Sequence, residues 1–223
     1  YDISACLVGS EMCIRDRRAP DTLLLLQHPH TFTLGRRGKR EHVLINAAEL
    51  ERLEIGVHEI DRGGEVTYHG PGQLVCYPIL KLDPWRRDIR QYMRNLEEVV
   101  IRAAAIFGIA AARVDGLTGV WLGEQKLAAI GVRVASWVTT HGFALNVDPD
   151  LAFFDRIVPC GISDKGVTSM ARLLGQPPAM SDIERAVVEA FGQVFGLTMV
   201  DDDGAGMLEI NAEAAVPSVE TIR

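Results

Sequence analysis

The sequence predicts an α+β fold: a single domain in which a mixed β-sheet is flanked by helices. Short apolar segments with the length of strands cluster in two parts of the chain, and amphipathic helical patterns are inserted among them. Regular strand–helix alternation and internal repeats are absent from the pattern. With 223 residues, of which 48% are apolar, the chain is long enough to bury one sizeable core. We find no linker-like segment and expect one domain over residues 18–200.

The first half of the chain predicts strands around a glycine-dense segment. Residues 22–27 form a short apolar run typical of a buried strand, and a Gly/Arg-rich loop follows at residues 35–40. Asn46 and Glu49 have the spacing of a capping box, which predicts a short helix that stops by Gly56. Further strands are expected over residues 57–60 and 73–79.

A long helix is predicted over residues 88–107. Gly108 can adopt the left-handed conformation that ends such a helix. The apolar positions recur with helical spacing and share one face, which we expect to cover the sheet: Ile89, Met93, Leu96, Val100, Ala103, Ala104 and Phe107.

The remaining elements are a strand meander and one more helix. Residues 120–122, 126–134 and 138–147 predict three strands, the first two joined by a tight turn at Gly123-Glu124. Ser181 and Glu184 again have capping-box spacing, so we expect a helix that begins there and ends at Gly196.

The two ends of the chain lack this patterning. Residues 1–17 show neither a sustained structural period nor the layout of a signal peptide, and we expect a non-native leader of adapter or vector origin. The alternative is a poorly ordered native N-terminus. Residues 201–223 are acidic, alanine-rich and aperiodic, which indicates a loosely ordered tail without a chemical role.

Composition narrows the function classes. Thirty acidic and 23 basic side chains give a net charge of −7, which disfavours nucleic acid and anionic lipid as partners. The longest apolar run is shorter than the roughly 20 residues of a membrane span, so we expect a soluble protein. Four cysteines without CxxC spacing do not form a disulfide scaffold, and they favour a reducing, cytoplasmic setting. The histidines lack metal-ligand spacing, and we expect no metal.

The densest chemical pattern lies at residues 62–73, RGGEVTYHGPGQ. Four glycines let the backbone approach a ligand closely, and polar side chains stand beside them. The segment is neither a phosphate-binding P-loop nor a GxGxxG turn, so nucleotide binding is not supported. A glycine-rich hairpin without a binding role is the structural alternative.

Two more positions are candidates for chemistry. Lys126 begins an otherwise apolar strand of small residues, where a partly desolvated lysine can transfer protons, although such a lysine is more often a solvated strand end. Cys160 lies between Pro159 and Gly161, in a turn that can present a thiol to a substrate. Cys76, inside a predicted strand, fits the role of a small buried hydrophobe better.

Together these motifs resemble the octanoyltransferase family, also called lipoyl(octanoyl) transferase or lipoate-protein ligase B. The segment RGGEVTYHGPGQLVCYP matches that family's R-G-G-x-x-T-aromatic-H-G-P-G-Q pattern. It is followed in the family's order by VWLGEQKLAAIGVRV, THGFALNV and VPCGISDKGVTSM. The resemblance covers about residues 23–197 and implies the α+β fold of biotin and lipoate ligase catalytic domains.

The resemblance implies an acyltransferase. Octanoyl would pass from acyl carrier protein to a lysine on lipoyl domains of 2-oxoacid dehydrogenases or on the glycine-cleavage H protein. Carried over by motif, Cys160 would be the nucleophile that holds a thioester, and Lys126 would favour its thiolate and shuttle protons. Transfer from a thioester to an amide runs downhill, so neither ATP nor another cofactor is expected.

The resemblance also implies substrate-binding stretches around these two residues. Burying the six methylenes of an octanoyl chain offers at most about 5 kcal/mol before ordering costs. The small residues suggest a narrow slot, with Tyr68, Ile130 and Phe143 as candidate walls or simple core residues. The implied positions are Arg62, Gly63, Gly64, Glu65, Val66, Thr67, Tyr68, His69, Ala129, Ile130, Gly131, Gly142, Phe143 and Ala144.

Two further features accompany this interpretation. His69 and His141 are expected to hydrogen-bond within the pocket. Arg36, Arg37, Lys39 and Arg40 form a basic run, either a solvated loop or a docking surface for acyl carrier protein.

Three other functions stay open from the sequence. One is an ATP-dependent ligase of the lipoate or biotin type, which would not need the cysteine. Another is a non-catalytic module that binds lipoyl domains. The last is a Cys-His hydrolase, which would release free octanoate without an acceptor.

Overall fold

The computed structural model describes residues 20–82, 87–158, 165–201 and 207–211, with the side chains of residues 201 and 207–211 excepted. The predicted leader lies outside these residues. In the first half of the chain the elements are β1 (Asp21–Leu26), β2 (Thr31–Leu34), a 3₁₀ turn (Arg40–His42), α1 (Ala47–Arg52), β3 (Gly56–Glu59), β4 (Val66–His69), β5 (Gln73–Ile79) and α2 (Ile89–Ile106).

The second half continues the sheet and adds a second long helix. Its elements are β6 (Ala112–Val114), β7 (Leu117–Leu122), β8 (Gln125–Ala135), β9 (Val138–Asn146), a 3₁₀ helix (Leu151–Arg156), β10 (Gly166–Val167), α3 (Met170–Leu174), α4 (Met180–Phe195), β11 (Thr198–Asp201) and β12 (Met207–Asn211). In the described part of the chain, no helix combines the length and apolarity needed to cross a membrane.

The main sheet has nine strands in the order β11-β12-β1-β5-β9-β8-β7-β6, with β10 added beside β8. Neighbours along this order are antiparallel, whereas β10 pairs with β8 in parallel. The sheet is therefore mixed, as the sequence predicts. The short strand β10 pairs with the first two residues of β8, next to the place where β9 ends.

A second, three-stranded sheet has the order β3-β2-β4 and was not predicted. Strand β4 belongs to this small sheet and β5 to the main sheet, so the glycine-rich segment is not a hairpin. It joins the two sheets instead. This connection places Gly63, Gly64 and several polar side chains of the segment beside the space between the sheets.

Apolar burial separates the two faces of the main sheet. On one face, α2 and α4 pack against the strands through a large core that includes Leu96, Val100, Leu145, Val187 and Phe191. A second core lies under the small sheet around Phe32, Tyr68 and Phe153. The described residues on the other face of the main sheet form a smaller apolar cluster, and this face borders the cavity described below.

Several local predictions are confirmed. The Asn46 side chain accepts from the backbone N–H of Glu49, capping α1 as predicted. The Asp88 side chain caps α2 in the same way, and Gly108 has the left-handed φ of 78° expected after that helix. The turn at Gly123 also uses a positive φ, which glycine adopts without strain.

Three local predictions are wrong. Helix α4 begins after Ala179, without a side-chain cap, so Ser181 lies inside the helix rather than before it. Ile89 is 45% exposed and lines the cavity described below instead of packing in the core. Residues 207–211 form strand β12 between β1 and β11, so this part of the expected loose tail completes the sheet.

Candidate functional site

A cavity of about 600 Å³ opens between the two sheets. Strands β4, β5, β8 and β9 and the glycine-rich segment contribute most of its wall, and β10 borders it. Two cross-strand pairs of small residues from β8 and β9 lie in the wall: Ala129 with Ala144, and Gly131 with Gly142. These pairs leave space where larger side chains would fill the gap between the sheets.

Most residues implied by the resemblance come together around this cavity. Glu65 is not part of the wall. Tyr68 is fully buried in the second core, where its ring stacks on Phe153 and its hydroxyl lies 2.9 Å from His30 Nδ1. The implied residues that line the cavity are Arg62, Gly63, Gly64, Val66, Thr67, His69, Ala129, Ile130, Gly131, Gly142, Phe143 and Ala144.

Arg62 organises the glycine-rich segment. Its guanidinium donates to the Thr33 carbonyl at 2.8 Å, to the Thr33 hydroxyl at 2.9 Å and to the Glu65 carbonyl at 2.8 Å. A further bond at 3.0 Å reaches the carbonyl of Gly63. The side chain is only 8% exposed, and these bonds tie the segment to β2. Arg62 therefore holds the cavity wall in shape from within.

Glycine is required where the backbones of the wall approach each other. A Cβ on Gly131 would lie 2.9 Å from the carbonyl oxygen of Gly63, closer than real Cβ contacts. A Cβ on Gly142 would overlap the carbonyl oxygen of Cys76 on β5. Side chains at these two positions would push the segment and the strands apart, so the narrowness of the cavity depends on them.

His141 lies at the junction of the glycine-rich segment with β8 and β9. Its backbone φ is 60°, a strained value for a residue with a side chain, and its Nε2 donates to Asp61 at 2.9 Å. The other oxygen of Asp61 is 2.7 Å from Arg133. Burial lowers the pKa of His141, although Asp61 opposes this shift. Burial would raise the pKa of Asp61, but His141 and Arg133 hold it below its usual value.

A buried polar chain runs beneath the cavity from His69. His69 Nδ1 donates to Gln73 Oε1 at 2.7 Å, because an amide oxygen can only accept. Gln73 then donates to Asn146 Oδ1, and Asn146 donates to the carbonyl of Thr168. The Thr168 N–H in turn donates to the carbonyl of Lys126 at 3.0 Å. The chain thus connects the glycine-rich segment with the start of β8.

Burial keeps two histidines near the cavity neutral. It lowers the pKa of His69 to about 3 and that of His28 to about 4. His28 Nε2 lies 2.8 Å from the hydroxyl of Tyr77, whose pKa burial raises. With Nδ1 of neutral His69 donating to Gln73, its Nε2 is a hydrogen-bond acceptor.

Lys126 lies in the cavity wall, between two neighbouring strands. It pairs with Trp121 on β7 and with Val167 on β10. Its Nζ is 4.7 Å from the centre of the Trp121 ring. Lys126 and Val167 both line the cavity, so the first described strand after Cys160 in sequence runs directly beside Lys126.

The two cysteines in the matched motifs differ in what the structure describes. Cys160 lies outside the described residues. The nearest described cavity-lining residues before and after it are Phe154 and Lys165. Cys76 is free and fully buried, and burial raises its pKa well above the usual value, which confirms its expected role as a small core residue.

The basic loop lies beside the glycine-rich segment. The backbone N–H of Arg36 donates to the carbonyl of Arg62, and that of Arg37 to the carbonyl of Gly64. Both arginines are exposed, and Arg37 lines the cavity. The loop therefore brings positive charge to the cavity mouth.

Some residues of the site carried no role in the sequence. Asp61 directly precedes one matched motif and Arg133 lies inside another, and only in three dimensions does Asp61 contact both Arg133 and His141. Trp121 stood in the motif VWLGEQK, but a tryptophan in a strand is usually a core residue. Gln73 was part of the glycine-rich motif, whereas nothing in the sequence paired it with Asn146.

Comparisons with known proteins agree with the family resemblance of the motifs. A family profile for the lipoyl protein ligase A/B catalytic domain matches residues 9–192. An octanoyltransferase of Chloroflexus aurantiacus is 56% identical over 180 residues, covering 79% of this chain and 81% of the relative. One from Solibacter usitatus is 50% identical over 202 residues, covering 89% and 91%.

Solved structures show the same fold. A lipoate-protein ligase A bound with ATP superposes with a TM-score of 0.71 at 16% identity, covering 87% of this chain and 82% of that one. A bipartite lipoate protein ligase from Thermoplasma acidophilum gives a TM-score of 0.69 at 18% identity, with the same coverage. At these identities the likeness concerns the fold, and the predicted α+β ligase-like class is confirmed.

Proposed function

Because the chain belongs to the octanoyltransferase family, the acyltransferases of lipoate biosynthesis, we propose that it carries octanoyl as a thioester on Cys160, with Lys126 as the proton carrier. The donor is octanoyl-acyl carrier protein. The acceptor is a lysine of a lipoyl domain, in a 2-oxoacid dehydrogenase or in the glycine-cleavage H protein. We place the reaction in the cytoplasm.

One observation carries this proposal: Lys126 lies in the cavity wall and pairs with Val167, seven residues after Cys160. A chain spans at most about 3.3–3.6 Å per residue, so Cys160 is within about 25 Å of Val167 whatever the conformation of the residues between them. Two residues before Cys160, the N–H of Val158 donates to the carbonyl of His42.

In the first half-reaction the Cys160 thiolate attacks the thioester carbonyl. A carbon–sulfur bond to Cys160 forms and the bond to the pantetheine sulfur breaks. The departing thiolate takes a proton from the Lys126 ammonium, and Lys126 is left as a neutral amine. The products are octanoyl-Cys160 and free carrier protein with its thiol.

The second half-reaction restores the resting state. The neutral amine of the lipoyl-domain lysine attacks octanoyl-Cys160, an amide bond forms, and the Cys160 thiolate leaves. Lys126 takes the proton that the acceptor nitrogen loses, and it becomes an ammonium again. Bonds and protons balance without ATP.

The size and polarity of the cavity match an acyl chain, and the positive charge at the cavity mouth matches the acidic donor protein. Small residues from β8 and β9 leave a slot for an unbranched chain. The buried neutral histidine His69 adds an acceptor without placing a charge beside the apolar chain. Arg36 and Arg37 offer exposed positive charge to the acidic carrier protein at the mouth.

A reconstituted transfer reaction tests the proposal. Purified chain, octanoyl-acyl carrier protein and a lipoyl domain are combined without ATP, and the lipoyl domain is weighed by mass spectrometry. We expect one octanoyl group on the lipoyl domain with wild type and none with Cys160→Ala. Modification that requires free octanoate and ATP would contradict the proposal in favour of a ligase. Release of free octanoate without an acceptor would favour a hydrolase.

A further inference from the structure

We propose that Trp121 is the positioning residue for Lys126: its indole face holds the lysine side chain so that the ammonium points into the cavity. The inference rests on the proposed function, because it assigns a device to the proton carrier. It concerns how the Lys126 side chain is placed and not whether Lys126 carries the proton. The inference and the proposed function can therefore fail separately.

The cation and the ring meet as a cross-strand pair. Trp121 on β7 and Lys126 on β8 are directly opposed in antiparallel register, so their side chains leave the sheet on the same face. Lys126 Nζ is 4.7 Å from the ring centre, within the roughly 6 Å of a cation–π interaction. Trp121 is only 1% exposed, and a ring fixed in the wall is a rigid support.

The strands are irregular at this pair. Trp121 pairs with Lys126, but the preceding Val120 pairs with Ala128, so Leu127 is an extra residue in β8. Such a bulge turns the side chains on either side of it, and bulges are frequent beside active sites. We infer that this bulge turns Lys126 toward the indole.

Gly119 lies on β7, two residues before Trp121, and is close to both the lysine and the indole. Its φ of 119° is one that residues with side chains rarely adopt. A Cβ there would lie 2.7 Å from the carbonyl oxygen of Ala128, and 3.6 Å from both Lys126 Cε and Trp121 Nε1. The 2.7 Å approach to the Ala128 carbonyl means that glycine is needed for β7 and β8 to come together here, and the 3.6 Å distances place this glycine beside the lysine stem and the indole.

An indole face suits a residue that must give up and regain a proton. It attracts the ammonium through its quadrupole but accepts no proton. A carboxylate in the same place would pin the ammonium by a charge-assisted bond and compete for its hydrogens. Within the described part of the chain, the buried indole N–H of Trp121 makes no hydrogen bond.

The placement is tested first without any enzymatic reaction. The chain has four lysines, at positions 39, 81, 126 and 165. Reductive methylation with ¹³C-formaldehyde labels them, and Lys126→Arg assigns the Lys126 signal. We expect that signal to be shifted upfield by the indole ring current, to return to the range of the other lysines in Trp121→Leu, and to stay partly shifted in Trp121→Phe.

A second tryptophan supplies the matched control. Trp137 has Arg87 over its ring at 5.3 Å and does not line the cavity. Trp137→Leu should leave the Lys126 signal and the transfer rate unchanged. An unshifted Lys126 signal in wild type, or a shift that survives in Trp121→Leu, would overturn the inference. If Trp121→Leu does not fold, Trp121→Phe decides. A Lys126 shift smaller than that of wild type supports the inference, and a shift equal to that of wild type overturns it.

Kinetics then show whether the placement matters. A proton carrier displaced by about 1 Å can lose on the order of 100-fold in rate. We expect kcat of Trp121→Leu to fall by about 10- to 100-fold with an almost unchanged KM for octanoyl-acyl carrier protein, and Trp121→Phe to recover most of it. Equal kcat in wild type and Trp121→Leu would overturn the inference. An inactive wild type with a shifted Lys126 signal would instead overturn the proposed function.

Discussion

The two faces of the main sheet use the same strands for opposite purposes. Toward α2 and α4, β5, β8 and β9 present large apolar side chains such as Leu74, Leu127 and Leu145, which are fully buried. Toward the small sheet, β8 and β9 present small residues such as Ala129, Gly131 and Ala144, which leave a cavity. Large side chains fill the space under the helices, whereas small residues on the opposite face leave the cavity open.

The difference shows how the chain separates stability from chemistry. The apolar area buried under the helices stabilises the fold, because burial contributes about 25 cal/mol per Å². The cavity face is held instead by specific polar bonds, such as those from Arg62 to Thr33 and Glu65. Changes on one face should therefore affect unfolding, and changes on the other should affect transfer.

The largest effect is expected at Lys126. Lys126→Met removes the proton carrier while keeping the apolar stem, and kcat/KM for octanoyl transfer should fall by about 1,000-fold or more. The thermal unfolding midpoint should change by no more than a few degrees. Lys81→Met, outside the cavity wall, is the control with unchanged activity. Activity within tenfold of wild type in Lys126→Met would break the assignment of chemistry to this face.

The helix-covered face gives the opposite pattern. Phe191→Ala removes a fully buried ring of α4, and the free energy of unfolding should fall by about 3–5 kcal/mol in urea titrations. At a temperature where the variant is still folded, its kcat should match wild type. A variant that keeps its stability but loses transfer would show that the two faces are not separable.

On the cavity side, His69 should make the free energy of unfolding depend on pH. Burial lowers its pKa in the folded protein from 6.5 to about 3. Below pH 6.5 the unfolded chain therefore binds a proton that the folded chain does not, and stability is lost as the pH falls toward 3. The slope is about 1.4 kcal/mol per pH unit for one such group.

His69→Gln removes this titration and should flatten the decline between pH 6.5 and 5 by about that slope. The measurement is the free energy of unfolding in urea at several pH values. Identical slopes in wild type and variant would mean that His69 is not neutral and buried in solution.

A smaller effect is expected from filling the cavity. Ala129→Leu adds volume to its wall and should shift preference from octanoyl toward hexanoyl donors. Losing burial of two methylenes costs about 1.6 kcal/mol, so kcat/KM with octanoyl should fall about tenfold relative to hexanoyl. Ala105→Leu, the same change on the exposed side of α2, is the matched control. Equal loss with both chain lengths would place the acyl chain elsewhere.

The smallest effect concerns the charged mouth. Reversing Arg36 and Arg37 to Glu should raise the KM for octanoyl-acyl carrier protein a few-fold at low salt, and the difference should shrink as salt is added. Arg185→Glu, on α4, is the control for a charge reversal remote from the cavity wall. An unchanged KM would remove the docking role of the basic loop.

Much of the fold follows from local sequence rules, and the failures have physical causes. The ends of α2 were predictable because Asp88 caps it and Gly108 stops it. Strand β12 was missed because its stability comes from pairing with β1 and β11, and the distant strand β1 cannot be recognised as its partner from local sequence. Ser181 was misplaced because Ser-x-x-Glu spacing also occurs inside a helix.

The residues of the site were predictable where they belong to a sequence motif. The residues matched by motif mostly meet in one cavity, although Tyr68 is packed in the second core against Phe153 and does not line it. Contacts between motifs were beyond the sequence: His141 with Asp61, and Lys126 with Trp121, depend on strand register and on a bulge. One-dimensional spacing does not specify either.

The most direct test of the central claim is to isolate the acylated enzyme. The chain is mixed with octanoyl-acyl carrier protein without an acceptor, weighed intact, and digested to locate the modification. We expect one added octanoyl group on the peptide that contains Cys160, removable by hydroxylamine and transferable to a lipoyl domain added afterwards. Octanoyl transfer to the lipoyl domain by Cys160→Ala at the wild-type rate, or an octanoyl group on another residue, would contradict it.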